Sequence, residues 1–115
     1  MSKFDELTAI NETINKLPYR AEVRDDWTPI VTSGDCDSYA TAKYEALVHS
    51  GWSRKDLRLA TCYVEDGGYH AVLLAELDGQ TWVLDNRQPY PTEFSMLPYT
   101  FKLLQIAGTC KWEYV

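Results

Sequence analysis

A cysteine stands between two aspartates in Gly34-Asp35-Cys36-Asp37-Ser38-Tyr39-Ala40-Thr41-Ala42-Lys43-Tyr44, where a loop gives way to a helix-like stretch. Downstream, His70 heads an apolar run and Asp85 lies near the end of another. Nucleophile, base and orienter follow in the order Cys, His, Asp, the set that cysteine-dependent acyl transfer needs. The thiolate is the reactive form of cysteine, and a helix N-terminus and a neighbouring imidazolium both stabilise it. Asp85 would fix the imidazole and favour its charged form. The Cys36 backbone N–H is a natural oxyanion donor, and the Trp27 indole N–H is the candidate for a second. Asp35 and Asp37 suit a helix N-terminus but repel a thiolate. A bound cation would resolve that conflict, with Asp35, Asp37 and the Ser38 hydroxyl offering oxygen ligands to calcium. The stretch is not an EF-hand, because it lacks that loop's glycine and terminal glutamate.

These residues need elements to hold them. Phe4, Leu7, Ile10, Ile14 and Leu17 recur at helical spacing over residues 3–17, and Ser2 with Asp5 resembles a capping box. Pro18 ends that helix, and residues 18–34 read as loop. A second helix is expected from Cys36 to His49, with Ala40, Tyr44, Leu47 and Val48 on its apolar face. Gly51 suits its C-terminal cap, and the small Ala40 and Ala42 permit close packing on a sheet. Strands are expected at Leu57–Glu65, Tyr69–Leu77 and Gln80–Asn86. A Pro-rich loop follows over Gln88–Pro98, then closing strands at Phe101–Ala107 and Lys111–Val115. The fold class is α+β, two helices packed on an antiparallel β-meander in one domain spanning residues 1–115.

Register decides whether His70 can meet Asp85. A two-residue turn at Asp78-Gly79 pairs Leu77 with Gln80 and puts Val72 opposite Asp85. His70 shares Val72's face, so His70 and Asp85 become diagonal neighbours with Cα atoms about 7–8 Å apart. A one-residue change in that turn would send Asp85 to the other face. An even-numbered turn around Gly67-Gly68 would put Cys62 on the face opposite His70, as a core residue.

Bulk properties narrow the function. With 115 residues the chain suffices for one modest core. Its net charge of −6 and lack of a basic cluster argue against a nucleic-acid partner. No stretch is long and apolar enough to cross a membrane. Three cysteines at 36, 62 and 110, without a CxxC pair, argue against a disulfide framework or a zinc site. The opening Met-Ser-Lys-Phe-Asp-Glu-Leu has no apolar run behind a basic head, so the expected location is a reducing cytoplasm. Taken singly, each residue has a plain structural reading: Cys36 as core, His70 as a strand residue, Asp35 as a helix cap and Asp85-Asn86 as a turn. Their order, the helix-start position and the register carry the functional reading.

At these residues the chain resembles the bacterial transglutaminase-like cysteine peptidases, within the transglutaminase-like and papain-like superfamily. The family's core motif reads like GDCEDYAxAKY, against GDCDSYATAKY here. Asp26-Trp27-Thr28-Pro29, Leu57-Arg58-Leu59, His70-Ala71-Val72-Leu73 and Leu84-Asp85-Asn86 match further family segments, over residues 26–90. The resemblance implies Cys36 as nucleophile, His70 as general base and acid, and Asp85 as orienter. It also implies a calcium site at the acidic residues flanking the cysteine, although no cofactor is required by the thiol chemistry. Asp35 matches that site, while Asp37 replaces a Glu and Ser38 an Asp. A short version of this family without a secretion signal suits a cytoplasmic or mobile-element (for example phage) protein.

The leading expectation is a cysteine hydrolase that cleaves a protein or peptide substrate through a thioester. A transglutaminase or glutamine deamidase would use the same residues and differ only in what resolves the thioester. A binding module on the same fold is the non-enzymatic alternative, with Trp52, Tyr90 and Tyr99 as exposed aromatics.

Overall fold

A computed structural model describes residues 2–16, 36–109 and 111–114, the side chains of residues 36–38 excepted. Trp27, Asp35 and Cys110, and the side chains of Cys36, Asp37 and Ser38, lie outside the described residues.

The first helix, α1, spans Lys3–Asn15 and starts on the expected capping box. Asp5 N–H donates to Ser2 Oγ at 3.1 Å, and Ser2 N–H donates to the Asp5 carboxylate. The second, α2, spans Cys36–His49. Gly51 takes φ +102°, and the amides of Gly51 and Trp52 bond back to the carbonyls of Val48 and Leu47. That pair of bonds is a Schellman stop, which needs the left-handed residue that glycine supplies.

Six antiparallel strands follow: β1 Leu57–Tyr63, β2 Tyr69–Leu77, β3 Gln80–Leu84, β4 Thr92–Glu93, β5 Thr100–Gln105 and β6 Trp112–Tyr114. Their order in the sheet is β4-β3-β2-β1-β5-β6. The meander thus runs from β1 to β4, and the chain then returns past β1 to place β5 on its other edge. The Pro-rich segment carries β4 and a 3₁₀ turn at Phe94–Met96, where the sequence suggested only loop.

The sheet separates two cores. On one face Leu57, Leu73, Ala75 and Leu84 pack with Leu7 of α1 and Leu47 of α2. On the other Ala60, Val72, Leu74 and Val83 are covered by Phe94, Leu97, Phe101 and Leu104. The helices meet each other through Ile14, Tyr39 and Ala42, so Ala42 serves helix–helix packing rather than the sheet. Between β2 and β3, Asp78 (φ +53°) and Gly79 (φ +79°) form the two-residue turn, and Leu77 pairs with Gln80. Both central φ angles are positive, which matches the right-handed strand twist of a tight hairpin.

The β1–β2 turn corrects the sequence reading. Cys62 pairs directly with His70, so the two share a face. The cause is an odd loop: Val64 N–H bonds Gly68 O, leaving three residues between them, and parity inverts. Cys62 is nevertheless fully buried. Of the three aromatics expected on the surface, Tyr90 is exposed, whereas Trp52 and Tyr99 are buried.

Candidate active site

His70 is the second residue of β2, and Asp85 is the first residue beyond β3. The hairpin register makes them diagonal neighbours, and His70 Nε2 lies 2.6 Å from Asp85 Oδ1. Both are nearly inaccessible, at 7% and 1% exposure. A carboxylate so buried must have its lone pairs satisfied. The Arg87 backbone N–H donates to Oδ1 at 2.9 Å, and the Tyr99 hydroxyl donates to Oδ2 at 2.6 Å. Burial alone pushes the Asp85 carboxyl up. The His70 hydrogen bond and charge, the Tyr99 hydroxyl and the Arg87 amide outweigh it and hold the group below its usual range.

Ionised Asp85 accepts on both oxygens and donates nothing. The proton on the short His70–Asp85 contact therefore belongs to Nε2, which leaves Nδ1 as the ring nitrogen that can take up and release a second proton. Tyr99 is fixed as the donor on the other oxygen: burial and the Asp85 hydrogen bond push its phenol up to about 12. Its ring meets the His70 ring edge-on at 6.1 Å between centroids. Arg87 secures Tyr99 in turn, with Nη1 donating to the phenolic oxygen at 3.3 Å and Nη2 to Glu65 at 2.6 Å.

The Asp85 turn is also held from below. Asn15 Nδ2 donates to the carbonyls of Asp85 (3.0 Å) and Gln88 (3.1 Å), and Asn11 Nδ2 donates to Gln88 at 3.1 Å. These asparagines lie one turn apart on the buried side of α1 and were not singled out in the sequence. The signal that could have found them is polar amides within an apolar stripe, Leu7-x3-Asn11-x3-Asn15. Tyr99 and Arg87 carried no comparable pattern, because a loop brings each to Asp85.

The α2 apolar face packs on the Leu57, Leu73 and Leu84 side of the sheet, whereas His70 alternates with Leu73 and belongs to the other side. The helix therefore does not cover the sheet face that bears His70. Leu47, near the C-terminal end of α2, belongs to the same core cluster as Leu57, the first residue of β1. The helix is about 21 Å long. Lys43, midway along it, is within electrostatic reach of Asp85. Cys36 is the first residue of this helix.

A separate cavity of about 730 Å³ lies beside α2, lined by Tyr44 and His49 of the helix, Arg54, Leu59 of β1 and Gln105 of β5. It includes neither His70 nor Asp85. Among the described residues no group of three or more His, Cys, Asp or Glu side chains is placed to hold a metal.

A family model described as bacterial transglutaminase-like cysteine proteinase matches residues 2–114. Among solved structures, calcium-bound LapG of Legionella pneumophila superposes with a TM-score of 0.79 at 22% identity, over 91% of this chain and 69% of that one. Another LapG structure from the same organism gives 0.82 at 19% identity, over 96% and 68%. An EGTA-treated LapG gives 0.77 at 21% identity, over 96% and 70%. A search of curated proteins finds no match. At these identities the structural likeness is one of fold: two helices on a six-stranded antiparallel sheet.

Proposed function

Because the chain belongs to the bacterial transglutaminase-like cysteine proteinase family, we propose that it hydrolyses protein amide bonds with a Cys36-His70-Asp85 triad. The observation that carries this reading is the buried 2.6 Å contact between His70 Nε2 and an ionised Asp85. It leaves Nδ1 as the basic nitrogen, the one free to take the thiol proton.

The steps follow from these groups. His70 Nδ1 accepts the proton of Cys36, whose thiolate the helix N-terminus favours. The sulfur attacks the amide carbon, and the oxygen of the tetrahedral intermediate takes up negative charge. The Cys36 N–H, and in this reading the Trp27 indole, donate to that oxygen. Imidazolium returns its proton to the leaving amine, the C–N bond breaks, and a thioester remains on Cys36. Water, deprotonated at the same Nδ1, attacks the thioester and regenerates the thiol. Asp85 holds the ring and its tautomer and stabilises the imidazolium without itself being protonated.

Calcium belongs to the proposal as a structural partner. One LapG structure is calcium-bound, and Asp35, Asp37 and Ser38 would be the side chains that hold the ion here. Hard oxygen donors suit calcium in kind, and backbone carbonyls and water would complete the roughly six to eight ligands it takes. The ion would offset the carboxylate repulsion beside the thiol and takes no part in bond making.

The test is product analysis by mass spectrometry on unfolded protein substrates, with and without an added primary amine. New peptide termini that vanish with Cys36→Ala support hydrolysis. Amine adducts on intact chains would replace it with transamidation.

A further inference from the structure

Tyr99 touches both members of the buried His70–Asp85 pair. Its hydroxyl donates to Asp85 Oδ2 at 2.6 Å, and its ring meets the His70 ring edge-on at 6.1 Å between centroids. Arg87 in turn bonds both Asp85 and Tyr99. Its backbone N–H donates to Asp85 Oδ1 at 2.9 Å, and its Nη1 donates to the phenolic oxygen at 3.3 Å. We propose that Tyr99 is a positioning residue of the site, which steadies the Asp85 carboxylate and through it the His70 ring, and that the Arg87 side chain is the clamp on the phenol. The inference rests on the Cys36-His70-Asp85 reading.

The directions of these bonds leave one arrangement. A guanidinium only donates, so the phenolic oxygen accepts from Arg87 and sends its single proton to Asp85. Asp85 is thereby held at both oxygens, Oδ1 by His70 and the Arg87 amide, Oδ2 by Tyr99. The terminal torsion of an aspartate is broad, and bonds at both oxygens narrow it more than bonds at one. An imidazole bonded to a carboxylate that turns must turn with it or lose the 2.6 Å contact. The clamp has its own anchor. Arg87 Nη2 donates to Glu65, in the loop between β1 and β2, at 2.6 Å, and the guanidinium lies over the Tyr99 ring at 5.6 Å from its centroid. The Arg87–Glu65 pair is partly exposed, and such pairs add little stability. What it fixes is the direction of the fork that faces Tyr99. The edge contact with His70 completes the set, because the ring that carries the hydroxyl also walls the imidazole.

Reactivity and NMR of the full chain test this. Tyr99→Phe keeps the ring and loses only the hydroxyl. Its Cys36 should be alkylated by iodoacetamide about tenfold more slowly at neutral pH, while circular dichroism shows the variant folded. An unchanged rate in the folded variant overturns the positioning role, because a purely structural hydroxyl would alter stability alone. The second readout is the proton NMR signal of His70 Nε2–H, which the short bond to Asp85 should move far downfield and shield from solvent exchange. It should be sharp in the unmodified protein and in Cys36→Ala, and broadened or lost in Tyr99→Phe. Its absence from the unmodified protein, or an equally sharp signal in Tyr99→Phe, overturns the role. Arg87→Met removes both side-chain bonds and leaves the backbone N–H on Asp85. It should slow alkylation about threefold, and Arg87→Lys, which keeps a donor for the phenol, should recover most of the loss. An unchanged rate in Arg87→Met overturns the clamp. Should Tyr99→Phe not fold, the His70 signal in Arg87→Met decides: broadening supports the proposal, and an unaltered line overturns it. Unmodified Cys36 reacting no faster than an unfolded thiol would instead refute the triad, with the hold of Tyr99 on His70 judged by NMR alone.

Discussion

At the scale of single residues, Asp85 organises the site. Three donors converge on one carboxylate, and that fixes both its charge and the tautomer of His70. Asp85→Asn should therefore cost more than one hydrogen bond. The amide can donate, so the ring can reverse and present Nε2 as its acceptor. Cys36 reactivity toward substrate should fall by roughly two to four orders of magnitude, measured as single-turnover thioester formation. Tyr99→Phe removes a donor from a buried carboxylate and should cost about 1.5–3 kcal/mol in urea unfolding. The sign with pH follows from the depressed Asp85 value. Its stabilisation is complete above the ordinary carboxylate range and disappears as pH falls through the folded value. Losing Tyr99 raises that folded value, so acid unfolding of Tyr99→Phe should begin at higher pH, which circular dichroism against pH would show.

At the scale of elements, α1 clamps the turn that carries Asp85. Asn15→Ala removes two amide–carbonyl bonds and should lower stability by about 1–2 kcal/mol in urea unfolding. Amide exchange at Arg87 and Gln88 should quicken more than in β1, since the loss is local. The sequence made the β2–β3 register legible because Asp78-Gly79 admits few turn geometries, and that register is what joins His70 to Asp85. It did not make β1–β2 legible. Gly67 and Gly68 permit turns of either parity, and only the Val64–Gly68 hydrogen bond settles it. The roles of Tyr99, Arg87, Asn11 and Asn15 were also hidden. Each bonds a partner distant in the chain, and no local pattern records such a meeting. Which sheet face α2 covers was not legible either, because apolar residues line both faces and alternation cannot say which one a helix chooses.

At the scale of the molecule, the fold spends stability on a buried amine. The Lys43 amine titrates at about 7 in the folded chain, against 10.5 ordinarily. Between those values the unfolded chain binds more protons than the folded one, so stability rises with pH through that window. Urea midpoints should climb from pH 7 toward pH 9, and Lys43→Met should flatten the climb while raising the midpoint at pH 7. Above about pH 10 the trend should reverse, because Tyr99 is held protonated in the fold and ionises in the unfolded chain. The claim on which everything else depends is that Cys36 is activated by His70. Iodoacetamide labelling of the native chain at neutral pH, followed by peptide mapping of Cys36, Cys62 and Cys110, tests it most directly. The account predicts fast labelling at Cys36 that slows at least tenfold in His70→Ala, with Cys62 protected until unfolding. Equal labelling of all three thiols, and only after unfolding, would contradict it.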